Sequence, residues 1–169
     1  MQSKGVRVVI FSFCLLASLL LSAAEPSPGL LGAEDLKRVV PPSYFFRGQS
    51  ASVQLRNSAG FRASDGKLVL AGLVDTSGYS SDVAEKYQGF LITEVKLNIE
   101  GSELPPGEYG FGFSKQGKFN VMDVGNNDLL SVSSHLDEKL QRPVPLTIMA
   151  DQGSYRLYAG QKWVSLKAQ

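Results

Sequence analysis

The sequence predicts an all-β domain, a single antiparallel sandwich or barrel of about ten short strands with one or two short helices. Many short segments alternate between apolar and polar residues with the period of two that is typical of half-buried strands. Gly, Pro, Asn and Asp separate these segments at intervals of about 8–12 residues, as in sandwiches and barrels. The stretch from Leu104 to Gly125 combines both signals and is the predicted centre of the domain.

This central stretch predicts a β-hairpin. Glu108–Phe113 forms the first strand, Ser114–Lys118 is a polar connection of hairpin length, and Phe119–Val124 is the returning strand. Because side chains alternate along a strand, the first strand has an aromatic face and an opposite face that carries glycines. The aromatic face contains Tyr109, Phe111 and Phe113, and the glycines are Gly110 and Gly112.

The N-terminus, residues 1–24, is typical of a secretory signal peptide. Lys4 and Arg7 precede the apolar run Val8–Leu21, and small residues allow cleavage after Ala24. The apolar run is shorter than the ~20 residues that a membrane span needs. We therefore expect export to the periplasm or the extracellular space, with no stable membrane span once the signal is cleaved.

Cleavage would change the chemistry of the chain. The only cysteine, Cys14, would leave with the signal, so no disulfide or thiol chemistry is expected. Lys4 and Arg7 would leave too, which turns the 17 basic and 16 acidic residues into a net charge of −1. A nearly neutral surface argues against nucleic acid and against electrostatic docking on anionic lipid.

Two further regions follow the signal. Residues 25–42 form an N-terminal segment in which Ala33–Val40 predicts a short helix that Pro41 and Pro42 end. Residues 43–169 form the all-β domain. Its predicted strands outside the hairpin are Tyr44–Arg47, Ser52–Arg56, Phe61–Ala63, Lys67–Val74, Phe90–Glu100, Leu129–Ser133, Pro145–Ala150, Tyr155–Tyr158 and Trp163–Leu166.

Turns and helices are predicted between these strands. Asn57–Gly60 and the Asp65–Gly66 pair are turn signals. Asp82 followed by Glu85 resembles a capping box, which predicts a helix at roughly 82–88. Ser134 predicts a second helix start. Within Phe90–Glu100, the alternation places five residues on one face, and the opposite face turns charged towards its end; the five are Leu91, Thr93, Val95, Leu97 and Ile99.

Two residues are candidates for hydrolytic chemistry. Asp75 begins the sequence Asp-Thr-Ser-Gly, similar to the active-site turn of aspartic proteases except that Ser77 is inserted before the glycine. Those enzymes need two facing carboxylates, so we favour a turn in which Asp75 accepts backbone N–H groups. His135 is the only histidine; a Ser–His–acid arrangement stays open, although a structural role is favoured.

A cluster of oxygen ligands follows the hairpin, but it favours a turn. The cluster comprises Asp123, Asn126, Asn127 and Asp128. Its spacing is not that of an EF-hand, and Asn and Asp are the residues that tight turns prefer. We expect no metal and no cofactor.

The glycine face of the hairpin is the best candidate for a ligand site. Alternating glycines leave room for a ring, a backbone or a ligand. Packing by neighbouring aromatic residues is the favoured interpretation, with Tyr44, Phe45, Phe46 and Trp163 as the available rings. The alternative is an aromatic barrel mouth that binds a small apolar ligand through Tyr109, Gly110, Phe111, Gly112 and Phe113.

Three stretches together resemble a family of uncharacterised secreted bacterial proteins: Gly66–Gly72, Gly78–Asp82 and Leu104–Phe113. The Leu-Pro-x-Gly-x-Tyr turn and strand is similar to one in other exported β-domains. The resemblance covers the chain from roughly Tyr44 onward. It implies an extracytoplasmic β-domain and supplies no activity, cofactor or catalytic residue.

The leading functional hypothesis is an exported, non-catalytic module that binds a partner protein or an envelope component. A lipocalin-like carrier of a small apolar molecule is the first alternative. A hydrolase that uses Asp75 or His135 is the second.

Overall fold

The structure is a computed structural model that describes residues 27–169, and two antiparallel β-sheets dominate it. The fourteen strands are β1 (Gly29–Leu30), β2 (Ser43–Phe46), β3 (Gln49–Arg62), β4 (Leu68–Val74), β5 (Gly89–Thr93), β6 (Leu97–Ile99), β7 (Ser102–Leu104), β8 (Gly107–Phe113), β9 (Lys118–Met122), β10 (Asp128–Ser133), β11 (His135–Leu136), β12 (Thr147–Asp151), β13 (Ser154–Ala159) and β14 (Lys162–Ala168). Two short helices complete the fold, α1 (Ala33–Val39) and α2 (Ser81–Lys86).

The first sheet has the strand order β1-β3-β4-β5-β8-β9-β10, and β2 pairs with β3. The second sheet has the order β12-β13-β14-β6-β7, and β11 pairs with β14. The predicted all-β, sandwich-like class of many short strands is confirmed.

The inner core lies between the two sheets, and the predicted hairpin supplies its centre. β8 and β9 pair with Phe111 opposite Val121 and Phe113 opposite Phe119. Phe111, Phe119 and Val121 are fully buried. The aromatic face of the hairpin is therefore core, because it meets the inward face of the second sheet, which includes Leu157, Val164 and Leu166.

The opposite face of the first sheet is also covered. β2, α1 and α2 pack on it and form an outer apolar layer. Its buried members are Tyr44, Phe46, Ala51, Leu70, Val74, Val83, Tyr87, Phe90 and Met122. The strand β4 reads as a continuous apolar run because both of its faces meet protein.

The turn predicted at Asn57–Gly60 is wrong. These residues lie inside β3, a single strand of 14 residues. The pairing with β4 is irregular between Val53 and Ser58, so turn-type residues are accommodated as a local irregularity without ending the strand.

The strand predicted at Phe90–Glu100 is two strands, one in each sheet. The five residues that alternation places on one face are all buried, four of them in the inner core and the fifth, Thr93, as a buried polar residue beside them. The chain leaves the first sheet after Thr93, whose Oγ1 donates to Val95 O (2.6 Å) and accepts from Val95 N (3.2 Å). Side-chain periodicity survives this crossing, because both strands face the same core.

The helices predicted at Ala33–Val40 and at roughly 82–88 are present as α1 and α2, with slightly different bounds. α2 begins at Ser81, and no side chain caps its first turn, so the predicted capping box is wrong. Ser134 begins no helix, since His135 and Leu136 form β11 and pair with Trp163 and Lys162. The predicted signal peptide lies outside the described residues. Within residues 27–169, no helix is long and apolar enough to cross a membrane.

Candidate functional site

The ligand site predicted on the hairpin consists of buried residues. Tyr109, Phe111 and Phe113 are at most 7% exposed. The Tyr109 hydroxyl donates to Pro105 O at 2.9 Å. Phe113 exchanges two hydrogen bonds with the side chain of Gln88, at 2.9 and 3.1 Å. Burial in the inner core gives all three aromatic residues a structural role.

The two glycines of this hairpin permit close packing of the outer layer. A Cβ on Gly110 would lie 2.5 Å from Phe46 Cε2, and a Cβ on Gly112 would collide with the Lys86 carbonyl oxygen. Phe46 stacks in turn on Tyr87 with ring centroids 3.9 Å apart. Burial raises the pKa of Tyr87 far above its usual range, so this ring stays neutral. The glycine face is occupied by protein, and ligand binding by these five residues stays a prediction.

Only part of the predicted aromatic filling is correct. Phe46 covers Gly110, and Tyr44 stacks on Phe90 in the same layer at 5.4 Å. Phe45 points the other way and is 57% exposed. Trp163 lies in the second sheet, because β14 pairs with β13 and β6, whereas the two glycines lie in β8 of the first sheet.

Asp75 and Asp123 act in turns, as their sequence contexts indicated. Asp75 Oδ1 accepts Ser77 N at 3.0 Å. Hydrogen bonds from Ser77 hold the pKa of Asp75 below its usual range. The Asp123 carboxylate accepts three hydrogen bonds from Gly125 and Asn127. The side chain and backbone of Asn127 lower the Asp123 pKa in the same way. His135 lies in the second sheet, whereas Asp75 follows β4 of the first sheet, and the hydrolase stays a prediction.

The structure reveals a different cluster on the outer face of the second sheet. We call it the tryptophan ladder. Its members lie on β12, β13, β14, β11 and the β6–β7 turn, and they are in that order Asp151, Arg156, Trp163, His135 and Glu100. The Arg156 guanidinium carbon lies 4.1 Å from the Trp163 ring centroid. The His135 ring stacks on Trp163 with centroids 4.3 Å apart. Because Arg156 and His135 come from strands on opposite sides of β14, they hold the indole ring from both sides.

Carboxylates fix both ends of the ladder. Asp151 Oδ2 accepts from Arg156 Nε and Nη2, each at 2.8 Å. Glu100 Oε2 lies 3.0 Å from His135 Nε2. These pairs orient the His135 imidazole and the Arg156 guanidinium without burying them, since the two side chains are 47% and 34% exposed.

Glu100 also closes a gap in the sheet. β11 and β6 pair with the same edge of β14, but Ser165 lies between their registers. Glu100 Oε1 accepts Ser165 N at 2.6 Å and so replaces the missing strand partner. Glu100 has a φ of 48°, the left-handed conformation of the β6–β7 turn, which aims its side chain back over β14.

An exposed apolar side chain adjoins the ladder. Met149 is paired with Arg156 and is 39% exposed. Tyr158 is the buried exception on this face, because the segment after β11 covers it and Asp137 Oδ2 accepts its hydroxyl at 3.2 Å. The result is an uncovered face rich in Trp, Arg, Met and His.

Sequence reasoning missed this ladder, although part of its signal was present. Val164 and Leu166 alternate as inward residues, which places Trp163 on the outward face of the same strand. Leu157 does the same for Arg156. The pairing that brings His135 and Glu100 to Trp163 depends on strand order, which alternation does not give.

A polar groove of about 510 Å³ lies between α2 and the β8–β9 hairpin. Its charges are mostly paired, with Glu85 near Lys115 at 3.6 Å and Lys86 near Asp128 at 3.2 Å. Lys118 lines the groove as well and donates to Ser133 Oγ at 3.1 Å.

No family model, curated protein or solved structure matches this chain. Within residues 27–169, no group of three or more His, Cys, Asp or Glu side chains has the arrangement of a metal site. The resemblance to secreted bacterial β-domains therefore stays a prediction.

Proposed function

We propose that this chain is an exported, non-catalytic module that binds a partner protein of the cell envelope through the outer face of its second sheet. The observation that supports the proposal is the tryptophan ladder. Trp, Arg, Met and aromatic residues are the types enriched in protein interfaces, where a few of them supply most of the binding energy.

The ladder has the physical properties of a preorganised contact surface. Trp163 is held between Arg156 and His135, and both of these are fixed by carboxylates. A partner that packs on this face therefore orders few additional side chains, which lowers the entropic cost of association. Met149 supplies adjacent apolar surface.

Capture from envelope extract tests the proposal when it is made dependent on Trp163. The exported protein is immobilised as the wild type, as Trp163→Ala, and as Phe45→Ala, which removes an exposed ring from the first sheet instead. We expect a specific protein to be retained by the wild type and by Phe45→Ala, and to fall at least tenfold with Trp163→Ala. The proposal is contradicted if Trp163→Ala retains the protein as well as the wild type does, or if the wild type retains no specific protein.

Fluorescence provides a direct readout on the same surface. Trp163 is the only tryptophan in the sequence, so its emission reports on the ladder alone. We expect the captured partner to shift that emission and to protect it from a soluble quencher. Unchanged emission on saturating binding would place the contact elsewhere.

A further inference from the structure

The last strand of the first sheet has an open edge. β10 pairs with β9, and no strand in residues 27–169 forms a ladder with its other side. β7 of the second sheet lies alongside but pairs with β6. An edge with unpaired backbone groups is a template for a further strand.

The direction of the free backbone groups follows from one hydrogen bond. Ser134 N donates to Gly117 O at 2.9 Å, so this pair belongs to the hydrogen-bonded kind of an antiparallel ladder. The two kinds alternate along the strand. Leu130 and Val132 therefore direct their backbone groups to β9, whereas Ser131 and Ser133 direct theirs to the open edge.

Beyond the pairing irregularity at its first residues, between Asp128 and Leu130, β10 lacks the usual protection of an edge strand. Native edges are blunted by charges, by proline, by bulges or by shortness. The run from Leu129 to Ser134 contains no charged residue and no proline. By contrast, β7 at the end of the second sheet has three residues, one of which is Glu103, and β1 has two.

We propose that β10 pairs antiparallel with β10 of a second copy of this chain, around a two-fold axis at Ser131. In this register Ser131 lies opposite its own copy, and the outward groups of Ser131 and Ser133 acquire partners. Leu130 lies opposite Val132, and both face the core side of the sheet. The exposed Leu129 lies opposite Ser133. The strand is thus complementary to itself, as an isologous interface requires.

Charge also favours a second copy over an unrelated strand. Lys118 lies beside Ser133 at one end of β10, and its contact there is the serine hydroxyl. Asp128 lies at the other end, where Lys86 of the same chain contacts it at 3.2 Å. The antiparallel two-fold arrangement brings Asp128 of the second copy to the end where Lys118 lies, so opposite charges approach at both ends of the interface.

Sedimentation of the exported protein tests the pairing. We expect a dimer at micromolar concentration for the wild type and for Ser131→Thr, which keeps the backbone donor. Ser131→Pro removes only the outward N–H, so it should remain folded by circular dichroism and sediment as a monomer. A wild type that stays monomeric at a hundredfold higher concentration, or a dimer that survives Ser131→Pro, overturns the proposal.

Cysteine crosslinking tests the register. In a Cys14→Ser background, Ser131→Cys places two thiols opposite one another at a separation that a disulfide spans. Ser133→Cys places each thiol opposite Leu129 and is the matched control. We expect a crosslinked dimer from Ser131→Cys under mild oxidation and little from Ser133→Cys. Equal crosslinking at both positions would exclude this two-fold axis.

Discussion

The two sheets of this molecule differ in how many of their faces meet protein. The first sheet is covered on both faces, by the second sheet on one side and by β2, α1 and α2 on the other. Only the inner face of the second sheet is fully covered by protein, and its outer face carries the tryptophan ladder. The first sheet therefore buries apolar side chains on both faces, whereas the second sheet leaves large side chains of one face in contact with solvent.

This difference is visible in single positions. On the first sheet, the outward glycines of β8 are required because helix backbone and aromatic rings touch that face. On the second sheet, the outward position Trp163 holds the largest side chain of the sequence, with room for two neighbours beside it. Covered faces select small residues opposite large ones, whereas an uncovered face sets no such limit.

The largest expected effect distinguishes two adjacent phenylalanines. Phe46 is fully buried against Tyr87 and Gly110, whereas Phe45 is 57% exposed. Phe46→Ala should lower the free energy of unfolding by about 3–5 kcal/mol because it leaves a cavity. Phe45→Ala should change it by less than about 0.5 kcal/mol. Urea denaturation measures both, and similar effects would show that β2 does not cover the sheet.

A second comparison uses two variants, each of which adds one methyl group to the outer face of one sheet. Gly112→Ala should destabilise the protein by about 3 kcal/mol, because the new methyl group meets the Lys86 carbonyl of α2. Ser165→Thr adds a methyl group to the uncovered face of the second sheet and should stay within about 0.5 kcal/mol. Thermal unfolding of both variants checks the contrast, and a tolerated Gly112→Ala would mean that α2 is loosely attached.

The smallest effect concerns the gap that Glu100 closes. Glu100→Gln keeps an oxygen that can accept Ser165 N–H, whereas Glu100→Ala removes it. We expect the alanine variant to be less stable than the glutamine variant by about 1 kcal/mol, the usual value of one hydrogen bond. Faster amide exchange at Ser165 in the alanine variant alone would identify the lost acceptor. Equal exchange in both variants would show that water replaces Glu100.

Much of the fold was predictable from alternation. The hairpin, its inward aromatic face and the shared face of the five residues from Leu91 to Ile99 are all confirmed, because burial on one face imposes a period of two. The errors fall where local signals compete with pairing. Asn57–Gly60 has turn composition but is held in β3 by β4, and Ser134 has helix-start composition but precedes a strand held by β14.

The candidate site was less predictable than the fold. Glu100, His135 and Trp163 are separated by 35 residues or fewer from one to the next, yet no local pattern links them. They meet because β11 and β6 pair with the same edge of β14. Likewise, the open edge of β10 is a property of strand order and leaves no mark on the composition of β10 itself.

Local periodicity and turn chemistry in the sequence are enough to give the class of this protein, its hairpin and the inward residues of most strands. Tertiary structure alone decided which sheet each strand joins, which sheet face stays uncovered and which strand ends a sheet. These properties depend on contacts between residues far apart in the chain, and side-chain alternation is the same whether a strand is central, at an edge, covered or exposed.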